Sequence, residues 1–174
     1  MIQQYLTFKI EDTQYAINVF SIQEVLEYEE PVKIPCSSPL LTGLIRSRDQ
    51  NIAVMDIRQR FGLSPKSSGI ETRIIVLEIT DQEHGVVNLF GIVADEVLEV
   101  IDVDDTLLEP LAKSKKFFGA EFVSDVIRQD DSYILVLDTK KLFAERDITN
   151  ASKSAQQQTK TKKRGGKTEC PTNF

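Results

Sequence analysis

The sequence predicts a mainly β protein with a sandwich or barrel architecture, built from two similar halves. Short apolar segments alternate with polar turns at close spacing along most of the chain, which is typical of sandwiches and barrels. One pattern also occurs twice: residues 15–26 align without gaps on residues 90–101, and residues 52–61 resemble residues 133–143. Two matching pairs in the same order favour duplication of a half-domain over coincidence, and they predict a two-lobed molecule.

The chain begins with a predicted β-hairpin. Residues 5–10 alternate strictly between apolar and polar side chains, as in a half-buried strand, and residues 15–19 form the returning strand after a polar turn. Ser21 is predicted to cap a short helical turn, because Glu24 follows it at the spacing of a capping box.

Three prolines exclude a long helix or a central strand from residues 31–39. Residues 40–45 and 52–55 then read as further strands. A short helix is predicted between Asp56, which can cap its first turn, and Gly62, which can end it in a left-handed conformation.

The boundary between the two lobes is predicted near residues 64–72, where a loop of Ser, Pro, Lys and Gly interrupts the apolar pattern. The continuous apolar run at residues 73–79 predicts a strand buried on both faces, and residues 86–93 predict its return. The remaining predicted elements are an acidic loop at 102–105, a helix over 106–111 capped by Asp105, strands over 117–127 and 133–137, and a helix over 139–144 capped by Asp138.

Charge divides the chain into a domain at residues 1–147 and a tail at residues 148–174. The tail carries six basic residues and one acid, so its net charge is +5. The whole chain has a net charge of −6, which leaves −11 on the domain. An acidic domain is not expected to bind nucleic acid. The tail lacks large apolar side chains, and we expect it to be disordered.

Composition also bears on the compartment. No apolar run approaches the roughly 18 to 20 residues that span a bilayer, so no membrane insertion is expected. The first residues lack the basic and apolar regions of a signal peptide. Cys36 and Cys170 have no metal-ligand spacing, and the sequence predicts free thiols in a reducing cytoplasm.

The sequence contains no arrangement that is typical of a reaction centre, so no enzyme activity, metal or cofactor is predicted. The single histidine, His84, stands in a polar turn. The acidic loop lacks a glycine and a glutamate that a calcium loop requires. A Cys36–His84 pair stays open as an enzymatic alternative, and full function of a Cys36→Ala variant would dismiss it.

Several segments spread over residues 3–146 carry a resemblance to a known family. They are Tyr15-Ala16-Ile17, Ile22-Gln23-Glu24-Val25-Leu26-Glu27, Ile34-Pro35, Gly43-Leu44-Ile45, Val54-Met55-Asp56-Ile57-Arg58, Phe61-Gly62, Gly91-Ile92-Val93-Ala94-Asp95-Glu96-Val97-Leu98-Glu99-Val100 and Leu137-Asp138-Thr139-Lys140-Lys141-Leu142. Their number and order resemble the CheW family of bacterial chemotaxis coupling proteins.

The resemblance implies a fold of two five-stranded SH3-like β-barrels with short helices and a shared apolar core, in which strands can exchange between the lobes. It also implies a scaffold without catalysis. Such a protein couples the CheA histidine kinase, through its regulatory domain, to the cytoplasmic tips of methyl-accepting chemoreceptors. It would therefore be cytoplasmic and attached to receptor arrays through its partners.

The resemblance also places two sets of site residues. The kinase-binding positions of the family fall on Ile22, Glu24 and Gly43. The receptor-binding positions fall on Arg46, Arg48, Val93 and Val97, where Arg48 matches the arginine of an Asn-Leu-Arg-Gly motif and the two valines would line an apolar groove. Such a groove can receive one face of an amphipathic helix, and an arginine at its rim can orient a carboxylate.

This chain departs from the family at that motif, because it carries Arg46-Ser47-Arg48-Asp49 instead of Asn-Leu-Arg-Gly, and Ala53 instead of a proline. Replacement of the glycine by Asp49 removes easy access to positive φ, so we expect a turn of another shape and an altered receptor contact.

Two alternatives stay open from the sequence. The chain could be an adaptor of the same family in a different kinase pathway, for a motility other than flagellar chemotaxis, with a divergent or absent receptor contact. It could instead bind nucleic acid or a membrane surface through its basic tail. Loss of all partner binding on deletion of residues 148–174 would favour that second alternative.

Overall fold

The structure, a computed structural model, describes residues 1–35, 39–81, 84–111 and 119–143. These residues form eleven strands: β1 (Ile2–Ile10), β2 (Thr13–Asn18), β3 (Ile22–Glu27), β4 (Leu41–Ser47), β5 (Gln50–Met55), β6 (Arg73–Thr80), β7 (Val87–Ala94), β8 (Glu96–Asp104), β9 (Leu108–Pro110), β10 (Val123–Gln129) and β11 (Ser132–Leu137). One α-helix, α1, spans Thr139–Leu142, and four 3-10 turns lie at Val19–Ser21, Ile57–Phe61, Asp105–Leu107 and Ala120–Phe122.

The strands form two sheets with the same internal order. The first sheet runs β8-β1-β2-β11-β10-β9, and the second sheet runs β3-β6-β7-β5-β4. Apart from the three-residue β9, each strand of the first sheet has a counterpart at the same place in the second. The prediction of a mainly β fold with two five-stranded lobes and short helices is therefore confirmed, with one additional short strand.

The first two strands of each half lie in one sheet, and its third and later strands lie in the other sheet. β3 follows β2 in sequence, yet it pairs antiparallel with β6 of the second sheet. In the same way β8 follows β7, yet it pairs antiparallel with β1 of the first sheet. The chain crosses between the sheets twice, once through the turn Val19–Ser21 and once at Asp95.

The second sheet curls so that its two edges meet. After β3 the chain continues to Val32, whose amide and carbonyl exchange hydrogen bonds of 2.8 and 2.9 Å with Leu44 in β4. This close approach requires Gly43, because a Cβ on that residue would lie 2.5 Å from the Val32 carbonyl oxygen. In the first sheet, β9 follows β8 and pairs with β10 in the corresponding place.

The buried apolar side chains of the described residues form three clusters. The shared core contains side chains from both sheets, including Phe8 and Ile17 of the first and Ile75 and Phe90 of the second. The first-sheet core consists of Tyr5, Ala16, Val103, Ile127, Ile134 and Val136. The second-sheet core consists of Ile45, Ile52, Val54, Ile74, Val76 and Val93. Alternate residues of a strand face opposite sides, so each central strand contributes to two cores.

Several predicted elements have the expected position and cause. β6 is buried on both faces, as its continuous apolar run predicts. Asp56 accepts a hydrogen bond from the Arg58 amide, and Gly62 ends the turn at a φ of 67°. Asp138 caps α1 through the amides of Lys140 and Lys141.

The helical turn predicted after Ser21 is wrong. Asn18 caps the turn Val19–Ser21 by accepting from the Phe20 amide, and Ile22 already begins β3. The capping-box spacing from Ser21 to Glu24 lies mostly within a strand, because pairing with β6 decides the backbone there.

The predictions for residues 102–111 are also wrong. Asp102 and Asp104 lie in β8 and not in a loop, and Asp104 rather than Asp105 caps the next turn. Residues 108–110 form β9 in place of a helix. The strand predicted over 117–127 begins only at Val123, after the 3-10 turn Ala120–Phe122.

Some predictions fall on residues outside the described ranges. These are the tail at residues 148–174, Cys36, Cys170, residues 117–118 and the last residue of the predicted helix over 139–144. Across the described ranges, no helix combines the length and apolar character that would let it traverse a membrane.

Candidate functional site

Three of the seven predicted site residues, Glu24, Arg46 and Arg48, lie at or against the tip of the β4–β5 hairpin. Ser47 pairs with Gln50, so Arg48 and Asp49 form a two-residue turn. Their φ values are 48° and 65°, so both residues lie in the left-handed region, as in a type I′ turn. Asp49 thus takes a positive φ although it is not glycine, because aspartate tolerates the left-handed region better than most residues. The expected difference in turn shape from the family stays a prediction.

Glu24 of β3 contacts this hairpin tip across the gap between the two edges of the second sheet. Its carboxylate accepts a hydrogen bond of 3.0 Å from Ser47 Oγ and lies 3.2 Å from Arg48 Nη2. The Glu24 side chain is only 14% exposed, whereas that of Arg48 is 76% exposed. The structure thus joins one residue of each predicted set, the kinase-binding Glu24 and the receptor-binding Arg48.

Arg46 lies beside this contact but pairs within its own hairpin. Its Nη2 is 2.9 Å from Asp49 Oδ1, and both side chains are largely exposed. An exposed pair of this kind contributes little to stability. The Arg46 guanidinium therefore stays at the surface of the hairpin tip.

Ile22 and Gly43 occupy the two edge strands of the same sheet but point elsewhere. The register of β3 against β6 shifts between Ile22 and Glu24, which lets the two side chains take different directions. Ile22 packs against the shared core while Glu24 reaches the hairpin tip. Gly43 lies where the chain around Val32 crosses β4.

The two predicted groove residues belong to different clusters. Val93 in β7 is buried within the second-sheet core. Val97 in β8 is half-buried, is paired with Phe8, and packs against the shared core. The structure does not bring these two side chains into one cluster.

A buried ion-pair cluster around Arg58 is the feature that sequence reasoning missed. The Arg58 side chain is 2% exposed, and its guanidinium donates to Asp95 and lies 3.6 Å from Asp56 Oδ1. Asp95 also accepts a 2.7 Å hydrogen bond from the Glu11 amide and lies 3.5 Å from Lys66 Nζ. This cluster joins the β1–β2 turn, the turn after β5, and the segment between the two halves.

The environment of Asp95 favours its ionised form. Burial alone would raise the pKa of this carboxyl group, but the hydrogen bonds from the Glu11 amide and the Arg58 guanidinium outweigh it. The pKa of Asp95 is therefore held below its ordinary value. Both Arg58 and Asp95 stand in segments that resemble the family, but no sequence rule pairs two residues this far apart.

The remaining titratable candidate is His84. Its Nδ1 lies 2.8 Å from Asp81 Oδ2 in the β6–β7 turn, and the ring is 70% exposed. Within the described ranges, no group of three or more His, Cys, Asp or Glu side chains has the geometry to hold a metal ion.

Known proteins resemble this chain over most of its length. The chemotaxis protein CheW of Treponema pallidum is 27% identical over 149 residues, which cover 83% of this chain and 84% of that protein. The chemotaxis protein CheW of Bacillus subtilis is 23% identical over 141 residues, which cover 81% and 86%. The crystal structure of the scaffolding protein TtCheW from Thermoanaerobacter tengcongensis matches with a TM-score of 0.72 and 28% identity, covering 84% of this chain and 91% of that one.

The family match covers about the same part of this chain as the matches to individual proteins. A sequence profile of the CheW-like domain matches residues 4–147, which include all three apolar cores and every strand except the first two residues of β1. The strand order, the relatives and the profile agree, and this chain belongs to the CheW-like domain family.

Proposed function

We propose that this chain is a non-catalytic adaptor that couples a CheA histidine kinase to the cytoplasmic tips of chemoreceptors. The observation that carries the proposal is the family match over residues 4–147. It is supported by relatives named as chemotaxis proteins and by a structural neighbour named as a scaffolding protein. The adaptor would act in the cytoplasm and reach the receptor arrays through its partners.

In this proposal the kinase contacts the edge of the second sheet through Ile22 and Glu24, with Gly43 shaping the facing strand. β3 is an edge strand, and an edge presents backbone and side chains that a second β domain can approach. Because a Cβ on Gly43 would collide with the Val32 backbone, Gly43 would act by fixing the surface that the kinase meets.

The receptor contact in this proposal uses Arg46, Arg48 and Val97. The exposed guanidinium groups can pair with carboxylates of an amphipathic helix, while Val97 adds apolar surface at the edge strand β8. Val93 is buried, so it would support the receptor site through the packing of the second-sheet core.

Titration calorimetry with the regulatory domain of a CheA kinase from the same cell tests the kinase contact. We expect a Kd of about 1 µM or tighter. Glu24→Lys should weaken binding by about tenfold or more, because it reverses the charge beside Arg48. Gln23→Lys, an exposed change on the same strand, is the matched control.

Two results would count against this assignment. Unchanged kinase affinity in the Glu24→Lys variant, relative to the unmodified protein, would remove the kinase contact from this edge. Absence of CheA binding in a folded protein, with binding to a kinase of another motility pathway, would favour the alternative adaptor role.

The receptor contact is tested separately with a soluble chemoreceptor tip. Arg48→Glu should weaken tip binding about tenfold, whereas Arg128→Glu near the tip of the corresponding β10–β11 hairpin should not. The double change Arg46→Asn with Asp49→Gly restores two residues of the usual motif. Unchanged receptor affinity in that double variant would show that the departure has no effect on the contact.

A further inference from the structure

Ser47 stands at the last paired position of β4, directly before the two-residue turn of the β4–β5 hairpin. Its partner in the ladder is Gln50, so strand pairing fixes the backbone at this residue. The Ser47 hydroxyl donates to Glu24 Oε1 at 3.0 Å, a contact between residues 23 positions apart. This hydroxyl therefore links the hairpin tip to the edge strand β3.

The Glu24 carboxylate divides its two oxygens between two side chains of the hairpin. Oε1 accepts from Ser47, and Oε2 lies 3.2 Å from Arg48 Nη2. The terminal torsion of a glutamate has only a weak preference of its own, so a hydrogen bond at one oxygen decides where the other oxygen points. The Glu24 side chain is only 14% exposed, so water has little access to replace that hydrogen bond. Ser47 therefore fixes the orientation in which Glu24 meets Arg48.

Arg48 needs such support because its side chain projects into solvent. It is 76% exposed, and a long exposed side chain loses conformational entropy when it is held in one rotamer. The contact with Glu24 holds one end of the guanidinium, at Nη2. Because the guanidinium is planar, this contact also restricts the direction of the remaining N–H groups, which can donate to a further carboxylate.

Arg46 provides a comparison within the same hairpin. Its guanidinium lies 2.9 Å from Asp49 Oδ1, but these two side chains are 62% and 93% exposed. Neither member of that pair is anchored in the protein interior, and exposed pairs of this kind are weak. Of the two arginines at the tip, Arg48 is the one that a half-buried carboxylate holds in place.

We propose that Ser47 is a positioning residue of the receptor contact, acting on Arg48 through the Glu24 carboxylate. Its hydrogen bond orders the exposed guanidinium before the receptor arrives, so less conformational freedom is lost on binding. An alanine at this position removes that order and leaves the charges of Glu24 and Arg48 unchanged. The receptor part of this inference rests on the proposed function, whereas the ordering of Arg48 is a property of the protein without its partners.

Nitrogen-15 relaxation of the Arg48 Nε–H group in the full chain, without partners, tests the ordering. Ser47→Ala should lower the order parameter of this group by about 0.2, and Ser47→Thr, which keeps a hydroxyl, should leave it near the unmodified value. Ser132→Ala is the matched control and should change nothing, because Ser132 lies in the corresponding β10–β11 hairpin and donates to the Gln129 carbonyl at 2.9 Å. An unchanged order parameter in Ser47→Ala would overturn the proposal.

Calorimetry with a soluble chemoreceptor tip tests the consequence for binding. Ser47→Ala should weaken tip binding about fivefold, the effect of one net hydrogen bond. Affinity for the CheA regulatory domain should change by less than about twofold, because the Glu24 charge and the β3 edge stay in place. A general loss of structure would weaken both partners, so this split identifies a positioning role.

The path through Arg48 is tested by repeating the change in an Arg48→Ala background. There Ser47→Ala should have no further effect on tip binding, because the side chain that it positions is gone. Equal weakening in both backgrounds would overturn the proposal. If the unmodified protein did not bind the tip, the proposed function and the receptor role of Ser47 would both fail, and the relaxation data would still decide whether Ser47 orders Arg48.

Discussion

Arg58 is fully buried although it carries a permanent charge, and its partners determine whether that burial is tolerated. A buried guanidinium is stable only when carboxylates and hydrogen-bond acceptors replace the lost water. Asp95 supplies most of this compensation, and its own charge is fixed by the Glu11 amide at 2.7 Å. Loss of Asp95 therefore leaves a charge inside the protein without its main partner.

We expect Asp95→Asn to lower the free energy of unfolding at pH 7 by about 3 kcal/mol, because it removes one member of a buried ion pair. Urea denaturation measures this loss. Asp12→Asn, an exposed change in the neighbouring β1–β2 turn, should alter stability by less than about 0.5 kcal/mol. Similar losses in both variants would contradict a special role of Asp95.

The same pair predicts a pH dependence with a defined sign. The pKa of Asp95 is lowered in the folded protein, so its carboxylate stabilises the fold above the unfolded pKa of about 3.9. This contribution is lost as the pH falls through the lowered folded pKa. The stability difference between the unmodified protein and Asp95→Asn should therefore be constant from pH 5 to pH 7 and shrink below about pH 4. A difference that grows in acid would refute this account.

The space around Gly43 is too small for a side chain. Its missing side chain faces the Val32 carbonyl, and backbone atoms cannot move aside as a side chain can. We expect Gly43→Ala to destabilise the protein by about 2 kcal/mol in thermal or urea denaturation. Gly69→Ala is the control, since its Cβ would have nothing closer than Thr72 Oγ1 at 4.0 Å. Equal stability of the two variants would mean that the Val32 backbone leaves room for a side chain at residue 43.

At the scale of the elements, the β4–β5 hairpin uses two non-glycine residues in the left-handed region. Asp49→Gly should raise the free energy of unfolding by about 0.5 kcal/mol. Glycine adopts the left-handed conformation at a lower energy than aspartate, and this gain exceeds the loss of the exposed ion pair with Arg46. Asp131→Gly, at the tip of the β10–β11 hairpin, should lower it, because Asp131 does not have a positive φ. Changes of the same sign in both variants would contradict the assigned turn.

Local signals predicted those elements whose causes are local. The caps at Asp56 and Asp138 and the end at Gly62 depend on a few neighbouring residues, and they follow from sequence. The acidic end of β8 could not be predicted from local sequence, because pairing with Gln4 on β1 holds Asp102 in the strand. The side-chain amide of Gln4 also donates to Asp102 at 3.0 Å, a contact between residues 98 positions apart.

The contacts of the candidate site also depend on residues that are distant in sequence. The resemblance located Glu24 and Arg48, but their contact depends on the curl that brings β3 and β4 together. The Arg58–Asp95 pair was missed because it requires the first and second halves to cross at one point. The sequence therefore could not predict these side-chain contacts, because they depend on tertiary pairing.

At the scale of the whole molecule, the exchange of β3 and β8 means that neither lobe is complete in one half of the chain. The first sheet combines β1 and β2 with β8–β11, the second sheet combines β6 and β7 with β3–β5, and the shared core contains residues from both sheets. The two sheets are therefore expected to unfold together, because both halves of the chain contribute strands to each sheet.

Hydrogen exchange measures this cooperativity. Ile134→Ala in the first-sheet core should lower the opening free energy of the slowest amides in both sheets by about 3 kcal/mol. Lys140→Ala on the surface should lower neither. A loss confined to the first sheet, with the second-sheet amides unchanged, would mean that the lobes unfold as separate units.

The exchanged strands also bear on how such a chain can originate. A lone ancestral half with the strand arrangement of β1–β5 could complete a sheet only by placing its last three strands on a second copy and receiving the same strands in return. Its folded fraction would have depended on concentration, as in any obligate pair. Joining two copies end to end supplies the second copy at a fixed, high effective concentration. The sequences of the two joined copies can then diverge. Phe20 and Asp95 are aligned positions of the two halves, and they now differ at the two crossovers between the sheets.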